Sequence, residues 1–222
     1  MSTLAFVSAS DLGVPVRARK EFHRAIELAE RRDLAGTIER LNRAIEIYPQ
    51  YASAYNNLGV TYSQLGDQMH AREALQKAIE INDHLAPAYV NLARMSIVAR
   101  EFSDAEAVLS KVSAFAPDDS AAQVLLSYSE FMDHRLNDAI HTATKAHALR
   151  GIHAIVHQVA ARAYEQQGRG PEAVAELEMF LKEESSGHRA ENARKELAEL
   201  RAILRRGEEA EADPSQAMGP ER

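Results

Sequence analysis

The sequence has no cysteine and no tryptophan among its 222 residues. Without thiols there can be no disulfide, no thiolate metal site and no thiol nucleophile. Aromatic residues make up 6 % of the chain against 45 % apolar residues, so a core has to be built mainly from aliphatic side chains and alanine. Long hydrophobic runs are missing too. No stretch approaches the roughly 20 apolar residues of a membrane span. Leu4–Ala5–Phe6–Val7 has no leading base and is shorter than the roughly 7–15 apolar residues of a signal-peptide core. Residues 1–17 are expected to form a flexible leader. Membrane insertion is not expected, and the cytoplasm is the default compartment.

A basic excess is also lacking. The formal net charge is −7, of which −4 belongs to the stretch from Gly207 to Arg222 (Glu208, Glu209, Glu211, Asp213 and Glu221 against Arg222) and −3 to the rest. A mildly acidic body argues against nucleic acid or an anionic membrane as the main partner. The sequence has no Gly-rich phosphate loop, no G-x-S-x-G and no H-E-x-x-H, the motifs that would announce phosphoryl, acyl or metallopeptidase chemistry. No enzymatic activity and no cofactor are expected.

What is present is repetition. The stretch Ala52 to Leu85 carries two amphipathic runs with a break at Leu65–Gly66–Asp67. Tyr55, Leu58, Gly59 and Tyr62 recur at helical spacing in the first, and Ala71, Ala74, Leu75 and Ala78 in the second. Shifted by 34 residues, the pattern returns. Ala25, Gly59, Ala93, Ser127 and Ala161 form one column of small residues; Thr37, Ala71, Ala105, Ala139 and Ala173 form another. Leu41, Leu75, Leu109, Ala143 and Leu177 are an apolar column, as are Ala44, Ala78, Val112, Ala146 and Phe180. Pro49, Asp83, Pro117, Gly151 and Ser185 make a column of turn formers. Small residues let the two helices of a hairpin approach, apolar neighbours fill the seam, and the turn former stops the second helix. A period of this length predicts a helical solenoid, with helix breaks near residues 32, 66, 100, 134 and 168.

The pattern Tyr55–x2–Leu58–Gly59–x2–Tyr62, followed by Ala71–x3–Leu75–x2–Ala78 and flanked by Pro49 and Pro117, resembles the tetratricopeptide repeat family. The resemblance covers about residues 18 to 185 as five repeats, placed at 18–51, 52–85, 86–119, 120–153 and 154–187. It departs from the family at Glu21 and Arg24 in the first repeat and at Glu130 in the fourth. The expected fold is an all-α, right-handed α-solenoid of five hairpins. A helix over 188–206, with Ala190, Ala193, Leu197, Leu200 and Leu204 on one stripe, would cap its open end. The acidic tail 207–222 is expected to be disordered.

The resemblance also implies where ligands sit, since in this family the first helix of each repeat lines a concave groove. Register gives Phe22, Asn56, Val90, Val124 and Gln158 as one groove column, His23, Asn57, Asn91, Leu125 and Val159 as the next, and Ile26, Val60, Arg94, Tyr128 and Arg162 as a third. One turn on lie Ser63, Ile97, Phe131 and Glu165, then Gln64, Val98, Met132 and Gln166. The candidate peptide-binding residues are Asn56, Asn57, Asn91, Arg94, Val98, Leu125, Tyr128, Phe131 and Met132: amides for an extended backbone, Arg94 for a carboxylate, and an apolar patch for a partner's side chains. The carboxylate clamp of chaperone-binding relatives is not expected. Only Asn57 matches it; Phe22 and Ile26 replace its Lys and Asn, and Pro87 and Asn91 replace two further bases.

The expected function is that of a non-enzymatic scaffold or adaptor binding a peptide or protein segment in the groove. The alternative is an accessory array of a larger enzyme or of a secretion or assembly machine. RNA binding would require a basic inner face, which Phe131, Met132 and Glu165 do not supply. Nine histidines raise the question of a metal. His153 and His157 are four residues apart, but His153 falls at the Gly151 break and His157 takes the position of Tyr55 and Tyr89 in earlier repeats. His134, His141 and His147 are scattered in sequence, so no metal site is expected.

Overall fold

The computed structural model describes residues 13–149 and 154–212, with side chains up to residue 209. Among the described residues there are eleven helices and no strand. They are α1 (Val16–Glu30), α2 (Leu34–Ile47), α3 (Ala52–Gln64), α4 (Gln68–Ile81), α5 (Ala86–Val98), α6 (Phe102–Phe115), α7 (Ser120–Met132), α8 (Leu136–His147), α9 (Ala154–Gln166), α10 (Gly170–Glu183) and α11 (His188–Ala212). The expected class, an all-α solenoid built of helix hairpins, is the class observed. The residues divide into two compact units, Met1–Ala122 and Gln123–Arg222.

Each hairpin break is made the same way. Arg32, Gly66, Arg100, His134 and Gly168 all have positive φ, between 61° and 82°. One residue on, the backbone N–H bonds back to a carbonyl of the preceding helix: Asp33 to Leu28, Asp67 to Tyr62, Glu101 to Ser96, Arg135 to Glu130 and Arg169 to Tyr164, each at 2.8–3.0 Å. A left-handed residue with this return bond ends a helix by satisfying carbonyls that would otherwise have no partner. Two of the breaks also cap the next helix. Asp33 Oδ1 accepts from the Gly36 N–H at 2.9 Å and Asp67 Oδ1 from the His70 N–H at 3.2 Å.

In the first unit, Phe22, Ala25, Leu41, Ala44, Tyr51, Ala54 and Leu58 bury one seam, and Ala71, Leu75, Leu92 and Met95 another. Gly59 shows why the small column must be small. A Cβ built there would lie 2.6 Å from Leu75 Cγ and 2.9 Å from the Ala71 carbonyl oxygen, with Leu75 only 1 % exposed and nowhere to retreat. The two departures of the first repeat form a surface network. Glu21 accepts from Arg40 at 3.0 Å and Arg24 at 2.5 Å, and the Arg40 contact leads in holding its carboxyl below the usual range.

In the second unit, Val124 packs against Ala143, Ala146, Val156 and Ala160. Ala161, Ala173, Leu177 and Phe180 are closed over by Ala193, Leu197 and Leu200 of α11. The third departure, Glu130, is 5 % exposed and is reached by Arg135 at 3.4 Å.

The ends of the array differ from the sequence reading. Residues 13–17 are not all leader: Val14 is buried in the first core cluster and α1 begins at Val16. The rest of the expected leader, residues 1–12, lies outside the described residues. At the other end α11 runs through Ala212 rather than stopping at Arg206. Glu and Ala between 208 and 212 are strong helix formers, and a single Gly at 207 weakens a helix by only about 1 kcal/mol. The remainder of the expected tail, 213–222, lies outside the described residues.

Candidate functional site

In the first unit, α3 and α5 leave a depression of about 200 Å³ between them. Its wall is made by repeat-equivalent residues: Val60 and Arg94 occupy one position, Gln64 and Val98 the next turn. Ser63, Gln68 and Asn91 add polar edges, and Gly59, Leu75 and Met95 close the floor. Val98 is 81 % exposed, the most exposed large apolar side chain among the described residues. Arg94 is exposed as well and, among the described residues, has no ion pair.

The predicted amides are placed differently. Asn56 and Asn57 are 3 % and 1 % exposed, where the sequence reading sets them on an open groove. Asn91 Nδ2 donates to Asn56 Oδ1 at 3.0 Å, and Asn56 Nδ2 donates to Asn57 Oδ1 at 3.2 Å. This ladder ties α5 to α3 from within. Buried amides have to be satisfied inside the protein, so these two hold the wall of the depression rather than face a ligand. Asn91, half-buried, is the one amide of the three that also lines the depression. Val60, Ser63 and Gln64 fall in the groove columns of the sequence, but are missing from its candidate set; only the α3–α5 spacing shows that they frame the same hollow as Arg94.

The remaining candidates belong to the second unit. Leu125, Tyr128, Phe131 and Met132 are all half-buried on α7. Their neighbour Val124 is packed into the α8–α9 core, and Ser129 Oγ donates to the Leu125 carbonyl at 2.8 Å. They share a helix with core residues and none is as open as Val98.

A second constellation was not legible in the sequence. His157, 5 % exposed, places Nδ1 2.6 Å from Glu176 Oε2. A carboxylate only accepts, so the Nδ1 proton is on the imidazole. Glu176 raises the pKa of His157 above its ordinary value, against the opposing effect of burial. This pair is the repeat-equivalent of Glu21 and Arg40 in the first repeat, with the charges exchanged. On its other side, His157 Nε2 lies 3.6 Å from Glu183 Oε1, and His147 Nδ1 lies 3.7 Å from the same oxygen. His153, the partner weighed for His157 from spacing, is outside the described residues. The histidine that does meet His157 is His147, from the neighbouring helix.

Tandem helix hairpins at a fixed 34-residue period, closed through small-residue seams and lined along their first helices, define a helical-repeat protein. Over residues 27–127 the chain is built of tetratricopeptide repeats. Models described as tetratricopeptide repeat match residues 52–85 and 70–127, and one described as TPR repeat matches 27–66. None of the curated proteins matches the chain. Among solved structures, MamA 41-end from Desulfovibrio magneticus RS-1 aligns with TM-score 0.69 and 18 % identity, covering 79 % of this chain and 99 % of its own. YrrB, described as a TPR protein with an unusual peptide-binding site, aligns with TM-score 0.67 and 17 % identity over 80 % of this chain and 92 % of its own. TTC0263, a thermophilic TPR protein in Thermus thermophilus, aligns with TM-score 0.59 and 17 % identity over 82 % and 98 %. At these identities the likeness is one of fold.

Proposed function

We propose that the protein is a non-enzymatic interaction module and that the α3–α5 depression of the first unit binds a segment of a partner protein. The observation that carries this reading is the pairing of Val98, 81 % exposed, with Arg94, an exposed guanidinium that has no ion pair among the described residues, on one wall. A folded chain gains nothing from leaving a large apolar side chain in water. An Arg beside it offers a fork for a carboxylate. The segment it suits carries an acidic side chain or a chain-terminal carboxylate for Arg94 next to an apolar side chain for Val60 and Val98. Asn91 supplies an amide for the backbone between them. The likeness to YrrB supports peptide binding as the mode but not this location.

Peptides selected from a random displayed library against the intact chain test it. The expected consensus places an acidic residue or terminal carboxylate beside an apolar one. Arg94→Ala and Val98→Asp should each weaken capture of the selected peptides by roughly thirtyfold or more, the scale of a true anchor residue. The melting temperature should stay within a few degrees, because both side chains are exposed. Selected peptides that bind both variants as they bind the parent would show the assignment to be wrong. The α7 residues Leu125, Tyr128, Phe131 and Met132 are a separate candidate surface. Tyr128→Ala should lower capture only if that surface takes part.

A further inference from the structure

The cluster around His157 is made by three helices of the second unit. His147 is the last residue of α8, His157 lies in the first turn of α9, and Glu183 is the last residue of α10. We propose that His147, His157 and Glu183 form a binding site for a divalent transition-metal ion of the zinc class, with Glu176 holding His157 in the ligating tautomer.

The geometry is the first argument. One ligand atom from each residue lies within 4.8 Å of the other two, and the two contacts to Glu183 Oε1 are 3.6 and 3.7 Å. Donors bound at about 2.0–2.1 Å around a tetrahedral zinc stand about 3.3 Å apart, so the two Glu183 contacts are within a few tenths of an ångström of that spacing, and the two imidazole nitrogens, no more than 4.8 Å apart, close the site by side-chain rotation. Two imidazoles and a carboxylate, with one position left for water, are donors that suit zinc.

The second argument is His157 itself. It is nineteen-twentieths buried, and its Nε2 has no hydrogen-bond partner. An imidazole whose Nδ1–H is fixed by a carboxylate, and whose Nε2 faces two further ligand-type atoms, has the arrangement that orients a metal-bound histidine. A simple ion pair between His157 and Glu176 explains that hydrogen bond but not His147, whose ring centroid is 4.6 Å from that of His157. One cation shared between both rings and Glu183 accounts for both histidines at once.

The third argument comes from the repeat. The same three positions two repeats earlier are Ile79, Tyr89 and Phe115, and three repeats earlier Ile45, Tyr55 and Ile81. There they serve packing: the Tyr89 and Phe115 rings are 5.7 Å apart, and Tyr55 and Ile81 pack on one cluster. One repeat earlier they are Ser113, Gln123 and Leu149. Where the fourth repeat meets the fifth, all three have become metal-ligand types at once, where solenoid packing alone would favour apolar side chains.

The test uses the tag-free full chain at roughly pH 8, above the ordinary imidazole pKa, titrated with Zn2+ alone in a calorimeter and melted with and without the ion. The expected result is saturable one-to-one binding at micromolar or lower concentration, with a rise in melting temperature. His147→Ala and Glu183→Gln change exposed side chains, and each should weaken binding at least tenfold and remove the thermal shift. Glu176→Gln keeps an acceptor for Nδ1–H but loses the charge, and should weaken binding by roughly 10–100-fold, the range for partners of metal-bound histidines. His141→Ala, an exposed histidine of α8 outside the cluster, should bind as the parent does. No saturable heat with Zn2+, or parent-like binding by His147→Ala and Glu183→Gln, would overturn the site.

Discussion

Arg32, Arg100 and His134 hold φ near +61° to +64° without being glycine. For an L-residue that region is disfavoured by roughly 1–2 kcal/mol. The strain persists because the return hydrogen bond and the packing on both sides of the break fix the backbone there. Gly66 and Gly168, the equivalent residues of the second and fifth repeats, adopt the same conformation without a Cβ. Arg32→Gly, Arg100→Gly and His134→Gly should therefore each stabilise the protein. The gain is the relieved strain less the roughly 0.5–1 kcal/mol of extra chain entropy that glycine loses on folding, or on the order of 0.5–1 kcal/mol. Thermal melts should show an increase of a degree or more per variant. A lowered melting temperature in all three would mean that the side chains contribute more than the backbone strain removes. These breaks were legible as positions, because the 34-residue period put them there. Their chemistry was not, since nothing in Arg100–Glu101–Phe102 signals a left-handed residue.

At the scale of the element, α11 is held by one stripe and strained by one residue. Ala190, Ala193, Leu197 and Leu200 are buried, which the period of the stripe had indicated. Glu196, next to them, is half-buried, and burial raises its carboxyl pKa above the usual range despite Arg162 at 3.8 Å. A carboxyl with a raised pKa in the folded state favours folding when protonated. Its contribution is fully present below the unfolded-state pKa and is lost as pH rises through the folded-state value. Glu196→Gln should thus stabilise the protein at neutral pH and flatten its stability curve across the mildly acidic range. Leu197→Asp should do the reverse, putting an unpaired charge against Leu177 and Phe180 at a cost of several kcal/mol. Hydrogen exchange over residues 154–183 should then accelerate. If exchange there is unchanged in Leu197→Asp, α11 does not close this end of the array. If Glu196→Gln melts lower at neutral pH, the Arg162 pair outweighs burial.

For the molecule as a whole, a repeat array gathers its stability from neighbouring contacts, so cooperativity decays with distance along the chain. Met1–Ala122 and Gln123–Arg222 are each compact, and each has its own core clusters. Urea unfolding followed by hydrogen exchange should give separate midpoints for amides around Leu41 and Leu75 and for those around Leu177 and Phe180. A single midpoint, with a urea dependence matching exposure of the full chain's surface, would show one cooperative unit instead.

The sequence by itself determined the fold class, the 34-residue period, the helix breaks and the small and apolar columns. These are properties of local spacing, and a helix has no other way to bury a stripe that recurs at its own period. Only the tertiary structure decided which side chains on the first helices are open. Asn56 and Arg94 both stand in groove columns by register, yet the α3–α5 approach turns Asn56 into an internal ladder with Asn91 and leaves Arg94 at the surface. Burial on a helix facing two neighbours depends on interhelical distance, which spacing does not encode. The meeting of His147, His157 and Glu183 is of the same kind. Residues scattered along 37 positions of sequence share one oxygen-centred cluster, because the last turns of α8 and α10 flank the first turn of α9.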